Sequence, residues 1–570
     1  MILESPERVA EYTTRGWWGE KTLADLFLEN VRRTPGAVAV VDPPNRAALT
    51  PGEPQRLSYG ELKTATDRLA KALLDAGVGR DDVVMVQLPN IVELVVVYLA
   101  SARIGAILTP LPVQFRTYEL RHAIGLTEPK VFITTSSFGD HDHVAMIRGL
   151  QPEFPSVEHV LALGEELPHG VSSLTAILTT ETDTSAVDDY AAAHPVSAND
   201  VYTICWTSGT VAEPKGVPRS HNLWIAIAWA TVDAAQIREG DTLLNPFPLV
   251  NMSAIGGMLV PWLLTGGKLV MHQPLELPVF LAQLGGEQVT YTVAPPVLLN
   301  LLLLRPGMLE NADLSHIRNI GSGSAPLSPW MVAQWQERHG IPILNFFGAN
   351  EGTALASDPV DIPDPEERAL YFPRLGVPGY AWANRVGAMI ETKLLDPETR
   401  EVVTEPGEVG ELAIRGATVF SGYWKRPRIT AEAFDDEGYF LTGDLFAIAG
   451  DGEDRYRFVG RLKNLIIRGG MKIAPEEVEY LLADYPAIQE VAVVGVPDGR
   501  KLGEEVVTAT VVPREGAELK LSDLTEFLRQ KDVAAYKLPR RLVVVESLPH
   551  NAVGKVLKRE IKRQLAGATA

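Results

Sequence analysis

The sequence predicts an α/β protein, with a large N-terminal domain of α/β layers carrying a β-rich subdomain and a small C-terminal α+β domain. Three observations lead there. Over most of the length, short apolar, often β-branched runs alternate with segments of helical periodicity, the pattern of a largely parallel sheet covered by helices. From about Gly376 the texture changes to short strands separated by Gly, Asp and Pro turns. After Gly460 a compact tail alternates strands and helices well enough to have a core of its own.

The elements follow in order. Tyr59–Ala76 reads as an amphipathic helix introduced by Ser58 as N-cap. Strand-like runs at Val83–Gln87 and Ala106–Leu111 flank a helical segment, Pro89–Arg103. Further strands are expected at Val131–Thr134, Val201–Trp206, Thr242–Leu244, Lys268–Met271, Val289–Val293 and Ile343–Phe347, and Glu181–Asp200 reads as a connector. The β-rich part holds strands at Ala388–Leu395, Gly410–Ile414, Gly438–Leu445 and Tyr456–Phe458. In the tail, strands at Leu465–Ile467, Glu490–Val496, Glu505–Val512 and Arg541–Val545 alternate with helices at Pro475–Tyr485 and Ser522–Gln530. The domain boundary is placed at Arg461–Asn464, giving an N-terminal domain over 1–460, a junction over 461–464 and a C-terminal domain over 465–570.

Composition excludes several classes of function. A net charge of −20 argues against a nucleic-acid binder, which needs a basic field to neutralise phosphates. A single cysteine, Cys205, rules out an internal disulfide or a multi-cysteine metal site and fits a reducing cytoplasm. Cys205 reads as a buried small hydrophobe. The N-terminus lacks the basic start and apolar core of a secretory signal. The apolar stretch Val92–Leu111 is interrupted by Glu93, Arg103 and Pro110, so no membrane span is expected there.

The chemistry is carried by five motifs. Thr-Ser-Gly-Thr-Val-Ala-Glu-Pro-Lys-Gly at 207–216 follows a strand and has the composition of a phosphate loop. Backbone N–H groups, with the hydroxyls of Thr207, Ser208 and Thr210 around Gly209, can surround a triphosphate, and Lys215 adds positive charge. It lacks the Gly-Lys-Ser/Thr end of a Walker loop. Gly-Ala-Asn-Glu at 348–351, Thr-Gly-Asp-Leu at 442–445, Gly-Arg-Leu-Lys-Asn at 460–464 and Asn-Ala-Val-Gly-Lys-Val-Leu-Lys-Arg at 551–559 complete the set. Together they indicate a nucleotide-using enzyme.

In these ordered motifs the chain resembles the adenylate-forming superfamily of acyl-CoA synthetases, peptide-synthetase adenylation domains and luciferases. Val-Pro-Arg-Ser-His-Asn at 217–222, Arg-Gly-Gly-Met-Lys-Ile-Ala-Pro-Glu-Glu at 468–477 and Ala-Val-Gly-Lys-Val at 552–556 are similar to its branch of aryl-acid adenylating enzymes and cyclic-acid CoA ligases. The resemblance implies that the small C-terminal domain is mobile and that the site lies between the domains. It also implies residue roles. Glu351 would hold Mg²⁺ on the phosphates of ATP. Asp444 would accept from both ribose hydroxyls, and Arg461 would bind ribose or phosphate. Gly323, Ser324 and Ala325 would line the adenine and acyl pockets, with Gly348 and Asn251 on the substrate side. Lys555 would bridge carboxylate and α-phosphate during adenylation, while Lys558 and Arg559 read as solvated. Asn464 holds the hinge position, about which the tail would rotate to withdraw Lys555. That rotation would bring Gly469 and Gly470 against the pantetheine arm of coenzyme A.

The sequence departs from the family pattern in places. Val211-Ala212 stands where Thr-Gly is usual, Asn350 replaces a threonine and Asn464 an aspartate. Asn251-Met252 differs from the pair that reads a 2-hydroxyl in dihydroxybenzoate enzymes; a helix cap is the other reading of Asn251. His221 reads as a helix-capping residue, and Trp224 and Trp229 as core. The expectation is an ATP-dependent, AMP-forming ligase that activates a hydrophobic cyclic or aromatic carboxylic acid and transfers it to CoA. Alternatives are transfer to a carrier protein or an amine, or a catalytically weak nucleotide-binding sensor.

Overall fold

The computed structural model describes residues 1–207, 214–468, 471–497, 505–531, 533–550 and 555–567. Two large sheets dominate the N-terminal part. One has eight strands; the inner ones, Val38–Val41, Thr242–Asn245, Lys268–Met271, Tyr291–Val293, Asn319–Gly323 and Ile343–Gly348, run parallel, and antiparallel strands close both edges. The other has seven strands and is parallel except where Val201–Trp206 pairs antiparallel with Gly216–Ser220.

Helices fill the space between and around the sheets for reasons visible in their sequences. Tyr59–Asp75 starts at Ser58, whose hydroxyl accepts from Glu61 N–H while the Glu61 side chain accepts from Ser58 N–H, a complete capping box. It presents Leu62, Leu69, Ala70 and Leu73 to the core. Val92–Ile104 is buried on every side, which is why its sequence lacks a polar stripe. Its two charges are paired inside: Arg46 binds both Asp42 and Glu93, the latter at 2.6 Å, and Arg103 meets Asp67 at 3.4 Å and also Asp188. Asp188 belongs to a helix, Ser185–Ala193, inside the segment read from sequence as a connector. That reading is corrected: only Val187 of this helix is buried, so its apolar signal is weak, and a salt bridge helps to hold it.

The β-rich part is a five-stranded antiparallel sheet with an aromatic core that includes Phe372, Phe420, Phe440, Phe446 and Tyr456. Its strand Arg455–Arg461 ends in a single 3₁₀ turn, Leu462–Asn464. The tail then begins with the paired strands Ile466–Arg468 and Met471–Ile473. A three-stranded sheet with helices Pro475–Ala483 and Leu521–Gln530 encloses a separate core around Val478, Leu482, Val493, Val507 and Leu524. Helix Pro475–Ala483 also packs on strand Arg455–Arg461, so the tail is docked on the β-rich sheet. Among the described residues no helix is long and apolar enough to cross a membrane.

Candidate active site

Where the strands of the eight-stranded sheet end, they meet the docked tail across a cleft of about 2140 Å³. Gly323, Ser324, Ala325 and Gly348 line it from the large domain, and Arg461, Lys463, Asn464 and Lys555 from the junction and the tail. Gly323 is fixed by a close approach: a Cβ there would lie 2.3 Å from the Phe346 carbonyl oxygen. Ser324 follows with a φ of 70°, turning the chain toward the cleft in a left-handed conformation that few non-glycine residues adopt.

Six charged groups from five parts of the chain form one electrostatic cluster. Asp444 and Arg461 face each other on adjacent antiparallel strands, with Arg461 Nε 2.9 Å from Asp444 Oδ1. The N–H is not aimed along that line, and Oδ1 is left buried without an aligned hydrogen-bond donor. Burial pushes the Asp444 carboxyl up to about 6, against the pull of Arg461, Lys555 and Lys463. Burial, reinforced by Arg461, pushes the Lys555 ammonium down to about 8, with Asp444 opposing. Lys463 is lowered by burial and by Arg461, and it also feels Lys215 and Glu351. Two carboxylates and four cations therefore meet in a protein that is acidic overall, a local excess of positive charge where an anion can be received.

Glu351 and Lys215 bracket one aromatic ring. Tyr423 donates its hydroxyl to Glu351 Oε1 at 2.9 Å, and Lys215 Nζ lies 3.8 Å from the centre of the same ring. Among the described residues no side chain hydrogen-bonds the second carboxylate oxygen of Glu351. The neck of the phosphate loop is closed by Thr207 N–H donating to the Lys215 carbonyl at 3.0 Å and Lys215 N–H to Thr207 Oγ1 at 3.1 Å. Ser208, Gly209, Thr210 and the unusual Val211-Ala212 lie outside the described residues, as do Gly469 and Gly470.

Asn350 ties these parts together. It donates to the Trp206 carbonyl at 3.0 Å and accepts from Met252 N–H at 2.9 Å, while its own carbonyl accepts from Arg219 at 2.9 Å. Arg219 is wholly buried and also binds the carbonyls of Leu223 and Thr418, so burial lowers its guanidinium to about 9 while it anchors three segments.

Three sequence expectations are revised by this geometry. Asn251 does not line the cleft: its Oδ1 accepts from Ser253 N–H at 3.1 Å as the cap of a short helix, and Met252 and Ser253 form the wall instead. Lys558 is not solvated. Its ammonium lies 2.8 Å from both Glu476 Oε1 and Glu479 Oε1, and Asn464 Nδ2 donates to the same Glu476 oxygen at 2.8 Å. Burial works against charge on Lys558, yet the two carboxylates outweigh it and hold the ammonium above its usual range. His221 does not cap its helix, because Ser220 does; the buried imidazole accepts from Leu23 N–H instead. Cys205 and Trp224 are in the core, as expected. Sequence reasoning passed over Tyr423 and Lys463, although Lys463 sits two residues from Arg461 in a motif it had singled out.

Comparison with known proteins agrees with this arrangement. The family of AMP-binding enzymes matches residues 27–424, and the AMP-binding enzyme C-terminal domain matches 477–555. The chain belongs to the AMP-binding enzyme family. It is 31% identical to the medium-chain fatty-acid–CoA ligase of Escherichia coli (strain K12), over 98% of this chain and 94% of that one. The crystal structure of ATP-bound MatB from Rhodopseudomonas palustris superposes with a TM-score of 0.78 at 26% identity, covering 96% of this chain and all of the other. The apo structure of that protein, with the same identity and coverage, gives 0.68. The likeness is therefore greater to the ATP-bound arrangement. This chain is an ATP-dependent, AMP-forming ligase that activates a carboxylic acid.

Proposed function

We propose that the chain is an acid–CoA ligase for a hydrophobic acid with a cyclic or aromatic body. In the first half-reaction the acid's carboxylate attacks the α-phosphorus of ATP, forming acyl-AMP as pyrophosphate leaves. In the second the thiol of CoA attacks the acyl carbon and AMP departs, its proton lost to solvent. The observation that carries the reading is the presence of Lys555, from the far end of the chain, in one cluster with Asp444, Arg461 and Lys463. Two anions must approach each other in the first step, and an ammonium in a site of low polarity is the group that makes this tolerable.

The residues fit the nucleotide. Asp444 offers a buried acceptor without an aligned donor, suited to ribose hydroxyls, and Arg461, Lys463 and Lys215 supply positive charge for the phosphates. Glu351, with one oxygen held by Tyr423, has the other for Mg²⁺, which when bound would neutralise charge on the phosphates. The acid would enter between Ile227, Phe247, Tyr291, Val293 and Phe346, an apolar wall rich in rings. In the second half-reaction the tail would turn about Asn464, withdrawing Lys555 and presenting residues 468–472 to CoA. A cytoplasmic setting, where ATP and CoA are at hand, belongs to the same reading.

The test is product analysis with MgATP, a panel of benzoates, cyclohexanecarboxylate, polycyclic and medium-chain acids, and CoA, a phosphopantetheinylated carrier protein or an amine as acceptor. The proposal expects a CoA thioester and AMP in equal amounts. Transfer only to the carrier or the amine would replace CoA as acceptor, and acyl-AMP formation restricted to straight-chain acids would remove the cyclic preference.

A further inference from the structure

On the wall of the cleft one buried tyrosine, Tyr291, carries a hydroxyl that no described residue hydrogen-bonds. Tyr59, Tyr98, Tyr202, Tyr291 and Tyr456 are each 2% exposed or less. Tyr59 donates to the Gly267 carbonyl at 2.8 Å, Tyr98 to Leu249 at 2.7 Å and Tyr202 to Tyr98 at 2.8 Å, and the Tyr456 hydroxyl is 3.2 Å from Thr392 Oγ1. Tyr291 is the exception among them: burial alone acts on its phenol. The hydroxyl is not sealed off from the cleft, so a ligand lying there can supply a hydrogen-bond partner.

The local chain is shaped around this oxygen. Strands Tyr291–Val293 and Asn319–Gly323 run parallel, with Val293 opposite Gly321. A Cβ at Gly321 would lie 2.5 Å from the Tyr291 hydroxyl, 3.0 Å from Val293 Cγ1 and 3.1 Å from Phe346 Cε2. Glycine at 321 is therefore what leaves room for the phenol, and all four residues line the cleft. Gly321 is two residues before Gly323 on the same strand, so the hydroxyl lies roughly 7 Å below the level of Gly323.

We propose that Tyr291 determines specificity by hydrogen-bonding a polar substituent on the acid, a ring hydroxyl, amino or carbonyl group remote from the carboxylate. The inference rests on the acid-ligase reading and narrows its substrate to a hydrophobic ring acid carrying a distal hydrogen-bonding group. Apolar walls on their own discriminate weakly, whereas a site built to pair one polar group rejects the analogue that lacks it.

The experiment compares acid-dependent pyrophosphate release for paired acids: benzoate with 4-hydroxybenzoate and 4-aminobenzoate, 2-naphthoate with 6-hydroxy-2-naphthoate, and cyclohexanecarboxylate with its 4-hydroxy derivative. The unmutated protein should favour the polar member of at least one pair by about tenfold or more in kcat/KM. Tyr291→Phe should bring that ratio to within about twofold of unity, with the loss confined to the polar acid. Its melting temperature without ligand should stay level, since no hydrogen bond to a described residue is lost. Gly321→Ala, which displaces the hydroxyl without deleting it, should lose the same discrimination. A ratio retained in Tyr291→Phe, or no preference for any polar acid in the unmutated protein, overturns the inference. No acid-dependent release by the unmutated protein with any acid overturns the ligase reading and this inference with it, and it is seen before any variant is compared.

Discussion

Lys555 and Asp444 illustrate how burial prepares a side chain for its task. Both charges are disfavoured by their surroundings, Lys555 down to about 8 and Asp444 up to about 6, although each opposes the other's shift. If adenylation requires the ammonium and the carboxylate, the sign of each limb follows. Lys555 is charged below its pKa, so kcat/KM for ATP should fall as pH rises through about 8. Asp444 is ionised above its pKa, so the same quantity should fall as pH drops through about 6. Bound phosphates would stabilise the ammonium, placing the alkaline limb of kcat at higher pH than that of kcat/KM. In Lys555→Arg the alkaline limb should vanish, whatever the residual rate, because a guanidinium does not titrate in this range. A limb that stays near 8 in that variant would assign it to another group. Residues of this kind were legible in sequence because they sit in ordered motifs. Tyr291 was not, since a tyrosine in a strand carries no mark of whether its hydroxyl meets a carbonyl or a cavity.

At the scale of elements, the tail helix Lys558–Gly567 is fastened to helix Pro475–Ala483 by Lys558 between Glu476 and Glu479, and Glu476 is fastened to the turn Leu462–Asn464 through Asn464. Lys558 is three residues from Lys555, so in the proposed adenylation step this network would help to place the Lys555 ammonium. Lys558→Met should leave two neighbouring carboxylates without their cation, a loss of up to about 3 kcal/mol in the tail. Pyrophosphate release should fall at least tenfold in the same variant, and Lys558→Arg should recover most of both. Normal adenylation in Lys558→Met would show that Lys555 is positioned by other contacts. The sequence misplaced Lys558 because a basic run near a chain end reads as solvated, and only the fold shows which acids it meets. By contrast, Val83–Gln87 and Lys268–Met271 were read to the residue: short β-branched or apolar runs in a sheet covered on both faces leave little alternative. Ser185–Ala193 was missed because a helix with one buried side chain has almost no periodicity to read.

For the whole molecule, two sheets and a β-rich subdomain form the platform and the tail brings one lysine to it. The sequence announced the layers and the two-part organisation through its change of texture. It could not announce that the whole chain superposes better on an ATP-bound relative than on the apo form of that protein. If that arrangement serves the first half-reaction and rotation about residue 464 the second, Asn464→Pro should impede the turn by fixing φ. Adenylation would remain within about threefold and thioester formation would fall about a hundredfold. Equal losses in both would point to damage at the site, not to a blocked rotation.

The most direct test separates the two half-reactions in Lys555→Ala. Acid-dependent pyrophosphate release and thioester formation from supplied acyl-AMP are measured side by side in the variant and the unmutated protein. Adenylation should drop by roughly a hundredfold to a thousandfold while thioester formation from acyl-AMP stays near its normal rate. Equal losses in the two half-reactions, or full adenylation without Lys555, would contradict a site completed by the tail.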